Sequence, residues 1–304
     1  MPAKVILNPY SNRWNAQKRW PEAEATLKAA GVEFEVAVSE YQHHPIELAE
    51  QAARQGFSPI VAAGGDGTIG EVVNGLARAA KSDAELIGPM GIIPLGTAND
   101  LVSNLKLPLD LGESVKIIAD GNTRLMDVCK VNEHYFVNNS GAGLEPYVTL
   151  IQEKITWVKG MVRYLLAALR GIQDNPHWNV KMEWDDGKFE GPVTLVTVGN
   201  GARTGGVFYM APHADPFDGK LTFVHGYRER RGQVLRLLPM TMKPGKGNYV
   251  EQGGGEEATA TWVKIHFDPP TPAHVDGEII SRGIQDLEYS VLPGKLKILT
   301  PLDK

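Results

Sequence analysis

The first 105 residues alternate between short apolar runs and longer stretches of helical spacing. Val5-Ile6-Leu7 is an apolar run stopped by Asn8-Pro9, as a buried strand would be. Residues 16–30, rich in Ala, Glu, Lys and Leu and followed by Gly31, predict a helix with a glycine past its end. Residues 34–38 predict a strand, 46–55 a helix closed by Gly56, and Ile60-Val61-Ala62-Ala63 a buried strand. Ile69, Val72, Val73, Leu76, Ala77 and Ala80 recur at helical spacing, and Gly91-Ile92-Ile93-Pro94 is again strand-like. Apolar runs without alternation, separated by helices, predict a parallel sheet covered on both faces.

After Gly121-Asn122-Thr123 the pattern changes. Segments 126–131, 135–138, 180–184, 193–198, 220–224, 262–267 and 287–292 read as strands, with turns at Asn132-Glu133 and Asp185-Asp186-Gly187. One long helical pattern, 147–172, interrupts them. The expected organisation is an α/β domain over 1–125 and a largely antiparallel β domain over 126–290. A last segment, 291–304, is left free to return to the first domain.

Composition narrows the possibilities. A chain of 304 residues predicts about two domains, and 42% apolar with 22% charged residues excludes wholesale disorder. Thirty-one basic against 36 acidic side chains, a net charge of −5, argue against a nucleic-acid-coating surface. The single cysteine, Cys129, can form neither an intrachain disulfide nor a Cys-rich zinc site, and it fits a reducing interior. Neither a signal peptide nor an apolar run of about 18–20 residues is legible. The expectation is a cytoplasmic protein that does not cross a membrane.

The sharpest chemical signal is Gly64-Gly65-Asp66-Gly67-Thr68, between a buried strand and an amphipathic helix. Its glycines let backbone approach a ligand closely, and the free N–H groups of the following helix favour phosphate. Asp66 would repel bare phosphate, so it makes sense with a divalent cation or a proton donor between them. A second corner, Pro94-Leu95-Gly96-Thr97-Ala98-Asn99-Asp100, also follows a strand. Asn99 or Asp100 could simply cap the next helix. Two such corners after parallel strands, however, put Asp66 and Asp100 at the carboxyl edge of the sheet, where α/β folds bind ligands. Neither the P-loop nor the dinucleotide fingerprint is present. His43-His44 reads as a solvated loop.

Together with Glu71-Val72 these motifs resemble the diacylglycerol kinase catalytic-domain family. The likeness continues through Asp127, Phe136-Val137-Asn138-Asn139-Ser140-Gly141-Ala142-Gly143, Gly199-Asn200-Gly201, Gly205-Gly206, the Ala211–Leu221 stretch and Val275-Asp276-Gly277-Glu278. The resemblance implies an NAD-kinase-like or phosphofructokinase-like α/β domain plus a mainly antiparallel β-sandwich domain, with ATP between them. It implies a kinase that phosphorylates the primary hydroxyl of a diacylglycerol-like lipid. The implied ATP site is Gly64, Gly65, Asp66, Gly67, Thr68, Ile69, Gly70, Thr97 and Asn99, with Asn8 and Ser39 on the same edge. Glu278 is the implied base, with Asp66 as the alternative. A structural Mg²⁺ is implied on Asp218 and the backbone carbonyls of Asp215 and Lys220, and a second Mg²⁺ on Asp66, Asp100 and Asp127. Two departures stand out: Gly70 replaces the family's usual Asn, and no Arg follows Asn99-Asp100.

A lipid substrate implies peripheral membrane contact. Arg228, Arg230, Arg231, Arg236, Lys243 and Lys246 against Glu229 make 227–247 basic, interleaved with apolar residues, so it reads either as a solvated loop or as a membrane contact. The 147–172 helix, with Lys154, Lys159, Arg163 and Arg170 beside Trp157, Met161, Leu165 and Leu169, could line a lipid entrance or pack in the core. A homodimer stays open. The rivals are a kinase of another lipid (a monoacylglycerol, phosphatidylglycerol or a sphingoid base), a soluble NAD kinase, and a nucleotide- or lipid-binding regulator without catalysis.

Overall fold

A computed structural model describes residues 1–158 and 160–302. Lys159 and the side chain of Met161 lie outside the described residues, as do the last two residues of the 291–304 segment. The N-terminal part runs β1 (Ala3–Leu7), α1 (Asn15–Ala29), β2 (Phe34–Val38), α2 (His44–Arg54), β3 (Ile60–Gly64), α3 (Asp66–Ala79), β4 (Ile87–Pro94), α4 (Asp100–Asn104) and α5 (Leu111–Asp120). Its strands pair in parallel in the order β2-β1-β3-β4. Successive side chains of a strand point to opposite faces. Thus Ile6 and Ala62 pack with Ala49, Ile69, Val72 and Val73 of α2 and α3. Val5, Leu7, Val61 and Ala63 pack with Ala23 and Leu27 of α1 and Val115 of α5 on the other face. Two-sided burial is why these strands carry apolar runs.

The second part adds β5 (Thr123–Val131), β6 (His134–Phe136), β7 (Asn139–Gly143), α6 (Leu144–Lys154), α7 (Gly160–Asp174), β8 (Trp178–Trp184), β9 (Gly187–Val193) and β10 (Leu195–Gly199). Then follow β11 (Arg203–Thr204), β12 (Phe208–Tyr209), β13 (Leu221–Gly226), α8 (Arg231–Leu237), β14 (Glu256–Ala260), β15 (Trp262–Val275) and β16 (Glu278–Leu299). These strands pair antiparallel around their own core, which includes Phe136, Phe223, Phe267 and Leu287. β16 ties the two parts into one sheet. It pairs antiparallel with β15 and β5, and near its end Leu296 and Ile298 pair in parallel with β4.

Several elements differ from the sequence expectation. The 147–172 helix is two helices: α6 ends at Ile155 in extended backbone, where β-branched Ile155-Thr156 disfavours continuation. Asn139–Gly143, where no strand was expected, is a strand between β10 and β15. Residues 231–237 are the helix α8, followed by a 3₁₀ turn at Leu238–Met240. Among the described residues no helix is long and apolar enough to cross a membrane.

Candidate active site

Backbone packing builds the two glycine corners. A Cβ at Gly96 would stand 2.4 Å from Gly65 Cα, so the turns after β3 and β4 meet backbone to backbone. A Cβ at Gly64 would strike the Thr68 hydroxyl at 2.4 Å. That hydroxyl accepts from Asn8 Nδ2 at 3.0 Å and lies 3.2 Å from Ser11 Oγ, which fixes the end of β1 against the start of α3. Ser39 is buried beside it, its N–H donating to Leu7 O and its hydroxyl to Tyr41 O. Thr97 Oγ1 donates to Asn12 Oδ1, and Asn99, at φ 48°, keeps a buried Oδ1 with no partner among the described residues.

The N–H groups of Asp66, Gly67 and Thr68 open α3 and have no helical acceptor behind them. The Ile69 N–H donates to Gly65 O, and its side chain sits in the core. Gly70 faces the other domain, where a Cβ would come 3.1 Å from Asp276 Oδ2. Its missing side chain leaves room for that carboxylate.

A cavity of about 540 Å³ opens beside the corners. Its lining brings Asp66, Thr97, Asp100 and Asp276 together with apolar side chains from three helices, Val148 of α6, Ala168 and Ile172 of α7, and Val234 and Leu237 of α8, and with Phe208. Asp66 Oδ1 accepts from Leu101 N–H (3.0 Å) and Asn138 Nδ2 (3.3 Å). Asp100 accepts from Gly206 N–H, and Arg203 Nε lies 3.5 Å away. Arg203 thus brings from β11 a guanidinium to the place where the sequence lacks an Arg after Asp100. Burial, then the Asp66 charge, push the Asp100 pKa up to about 6. Asp276 is half-buried and receives the N–H groups of Val137, Asn138 and Asn139; desolvation still lifts its pKa to about 7.

Glu278 lies outside this chamber but beside the glycine corner, its Oε1 3.1 Å from where a Gly67 Cβ would be. It is half exposed, in a neighbouring polar depression. His43 is no idle loop residue: its Nδ1 is 3.0 Å from Glu71 Oε1 and 3.9 Å from Glu278 Oε2. Burial and the Glu278 charge raise the Glu71 pKa to about 7 against the opposing pull of His43. His44 instead stacks on Tyr41. Repeated spacing could not announce the His43 contact, because the partners come from three separate elements.

Asp127 does not join Asp66 and Asp100 in lining the chamber. Its two oxygens accept the N–H groups of Gly219 and Gly294 at 2.7 Å each, and its own N–H donates to Pro216 O. It belongs with the 215–220 turn, where Asp215 accepts from Phe217 N–H and Asp218 from Lys220 N–H. Burial raises its pKa, and Asp218 and Asp215 raise it further. Oxygen donors alone, crowded and mutually repelling, fit Mg²⁺ at this turn and at the Asp66–Asp100 pair.

A parallel-sheet lobe with glycine corners, joined through one strand to a β-sandwich lobe, defines a two-domain kinase architecture. The chain belongs to the diacylglycerol kinase catalytic-domain family: residues 2–131 match the diacylglycerol kinase catalytic domain, and 139–300 match the YegS C-terminal NAD kinase beta sandwich-like domain. It is 27% identical over 302 residues to a diacylglycerol kinase of Staphylococcus epidermidis, covering 99% of this chain and 92% of that one. It is also 27% identical over 306 residues to a probable lipid kinase YegS of Escherichia fergusonii, covering 100% and 97%. The crystal structure of a diacylglycerol kinase from Bacillus anthracis shares the fold, with a TM-score of 0.79 at 23% identity over 99% of this chain and 97% of that one.

Proposed function

We propose that this kinase transfers the γ-phosphoryl group of ATP to the primary hydroxyl of a diacylglycerol-like lipid. The observation that carries the reading is the chamber: one cavity lined both by the Asp66, Asp100 and Asp276 carboxylates and by apolar side chains of three helices, beside the 64–68 corner with its free backbone N–H groups. The N–H groups at 66–68 bind phosphate oxygens, and Asp66 and Asp100 would hold Mg²⁺, which neutralises charge building on the transferred group. The lipid chain lies against Val148, Ile172 and Val234, and its hydroxyl approaches the carboxylates. Glu278, half exposed beside Gly67, accepts the hydroxyl proton as phosphorus–oxygen bond formation proceeds.

Exposed apolar residues around the chamber helices support contact with a bilayer. Trp157 is 79% exposed, and Val162, Leu165 and Leu169 of α7 and Leu235 of α8 stand in solvent near Arg163, Arg170, Arg231 and Arg236. Such surfaces bind anionic membranes through apolar insertion and about 1 kcal/mol per cation. A sphingoid base is the second reading, favoured by a negative group, Glu145, in the chamber wall. Burial raises the Glu145 pKa, but His274, Thr197 and Asn139 outweigh it and hold the carboxyl below its ordinary value.

The test is incubation with labelled ATP, Mg²⁺ and a total lipid extract in vesicles, with Asp66→Asn as control. Label in phosphatidate supports the first reading, and label in a phosphorylated long-chain amine the second. Equal label on a water-soluble acceptor without vesicles would remove both.

A further inference from the structure

We propose that His43, Glu71 and Glu278 form a site for one divalent transition-metal ion of the zinc type, and that its occupation switches the kinase off. The three side chains come from the turn before α2, the second turn of α3 and the first residue of β16. Their donor atoms all lie within 4.8 Å of one another, with His43 Nδ1 3.0 Å from Glu71 and 3.9 Å from Glu278. Around a tetrahedral ion with bonds of about 2.0–2.1 Å, neighbouring donors stand about 3.3 Å apart. The trio therefore needs only small rotamer adjustments to close on an ion.

Charge and donor type select the ion. Once Glu71 has released its proton, two carboxylates and a neutral imidazole ligand carry a charge of −2, which a divalent cation cancels. The imidazole nitrogen favours zinc-like ions over Mg²⁺, which takes oxygen donors and holds its waters tightly. Access is open: His43 and Glu278 line a polar depression of about 500 Å³ with Gln42, Glu153, Ser281 and Arg282, leaving a fourth position for water. The site shares no residue with the Asp66–Asp100 pair or the 215–220 turn. The inhibitory half rests on Glu278 being the proton acceptor, since a carboxylate oxygen bound to metal is no longer free to take a proton. The binding half does not rest on it.

The experiment is calorimetric titration of the full chain with Zn²⁺, without lipid or nucleotide, in millimolar Mg²⁺. The wild type takes up one equivalent that Mg²⁺ does not displace. His43→Ala weakens that uptake by more than about 100-fold, beyond the roughly 10–100-fold that loss of an outer partner costs. The double variant His213→Ala/His266→Ala, which removes two other His–carboxylate pairs, leaves it in place. Uptake unchanged in His43→Ala, or displaced by Mg²⁺, would overturn the site. In lipid phosphorylation assays Zn²⁺ stops the wild type, a chelator restores it, and His43→Ala keeps its own rate in Zn²⁺. Zinc uptake without inhibition overturns the switch. A protein that phosphorylates no lipid but still binds zinc through His43 counts against the proposed function and leaves the site standing.

Discussion

Two groups of aspartates show how differently the same side chain is used at the chamber and at the 215–220 turn. Asp127 has both carboxylate oxygens committed to backbone N–H groups from two distant segments, and it does not line the chamber. Asp66 receives both of its donors on Oδ1, which leaves Oδ2 for a ligand, and it borders the chamber together with Asp100. In a linear motif the two residues look alike. In space one is a joint between β5, the turn and β16, and the other borders the chamber with one oxygen unengaged by the described residues.

The sharpest way to break this contrast is to change charge while keeping shape. Asp66→Asn retains an oxygen for the Leu101 N–H but loses the negative charge. Phosphate transfer then falls by about 10³-fold or more, the scale seen when a group stabilising transition-state charge is lost. The thermal midpoint moves by about 2 °C at most. A variant keeping a tenth of the rate would take Asp66 out of the chemistry.

Asp127→Ala reverses the pattern. Two N–H groups lose their acceptor, at about 1–3 kcal/mol for each one left buried, partly offset by relief of repulsion from Asp218 and Asp215. Urea unfolding should show a loss of about 2 kcal/mol, with kcat/KM of the folded protein within about threefold of wild type. A large fall in kcat at unchanged stability would return Asp127 to the reaction centre.

The contrast also explains what the sequence disclosed. The parallel strands were legible because burial on both faces leaves apolar runs, and the corners because close backbone approach demands glycine. The helix α5 was missed although Asp110 accepts from Glu113 N–H and Gly121 closes it at φ 70°, a capping signal that a search for apolar runs passes over. β7 was hidden because Asn139-Ser140-Gly141-Ala142-Gly143 has almost no apolar content; its strand state comes from pairing with β10 and β15. Arg203 beside Asp100 and His43 beside Glu71 depend on elements far apart in the chain, which periodicity does not register. The chamber was foreseen only as two candidate surfaces, 147–172 and 227–247, because its apolar walls arise where α6, α7 and α8 converge.

The apolar lining of the chamber gives a smaller, more selective effect. Val234→Trp fills space between α8 and the other two helices without touching the glycine corners. The kcat/KM for vesicle-borne lipid should fall about tenfold, within the range that overpacking costs, while KM for ATP stays unchanged. Equal losses toward both substrates would mean that the chamber does not hold the lipid.

The last effect is one of pH and lies at Glu71, where burial and Glu278 raise a carboxyl pKa to about 7 from an unfolded value near 4.5. Between those two values the folded chain still holds the proton that the unfolded chain has released. Unfolding free energy therefore declines as pH rises through this window and levels off above it, because stability follows the difference in protons bound by the two states. Glu71→Gln carries no titrating group, so this portion of the slope disappears. Thermal midpoints measured from pH 4.5 to 8 with a chelator present should show the wild type gaining on the variant as the solution is acidified. Parallel curves would mean that His43 holds Glu71 ionised, and that the carboxyl pair beside the glycine corner carries its full charge at neutral pH.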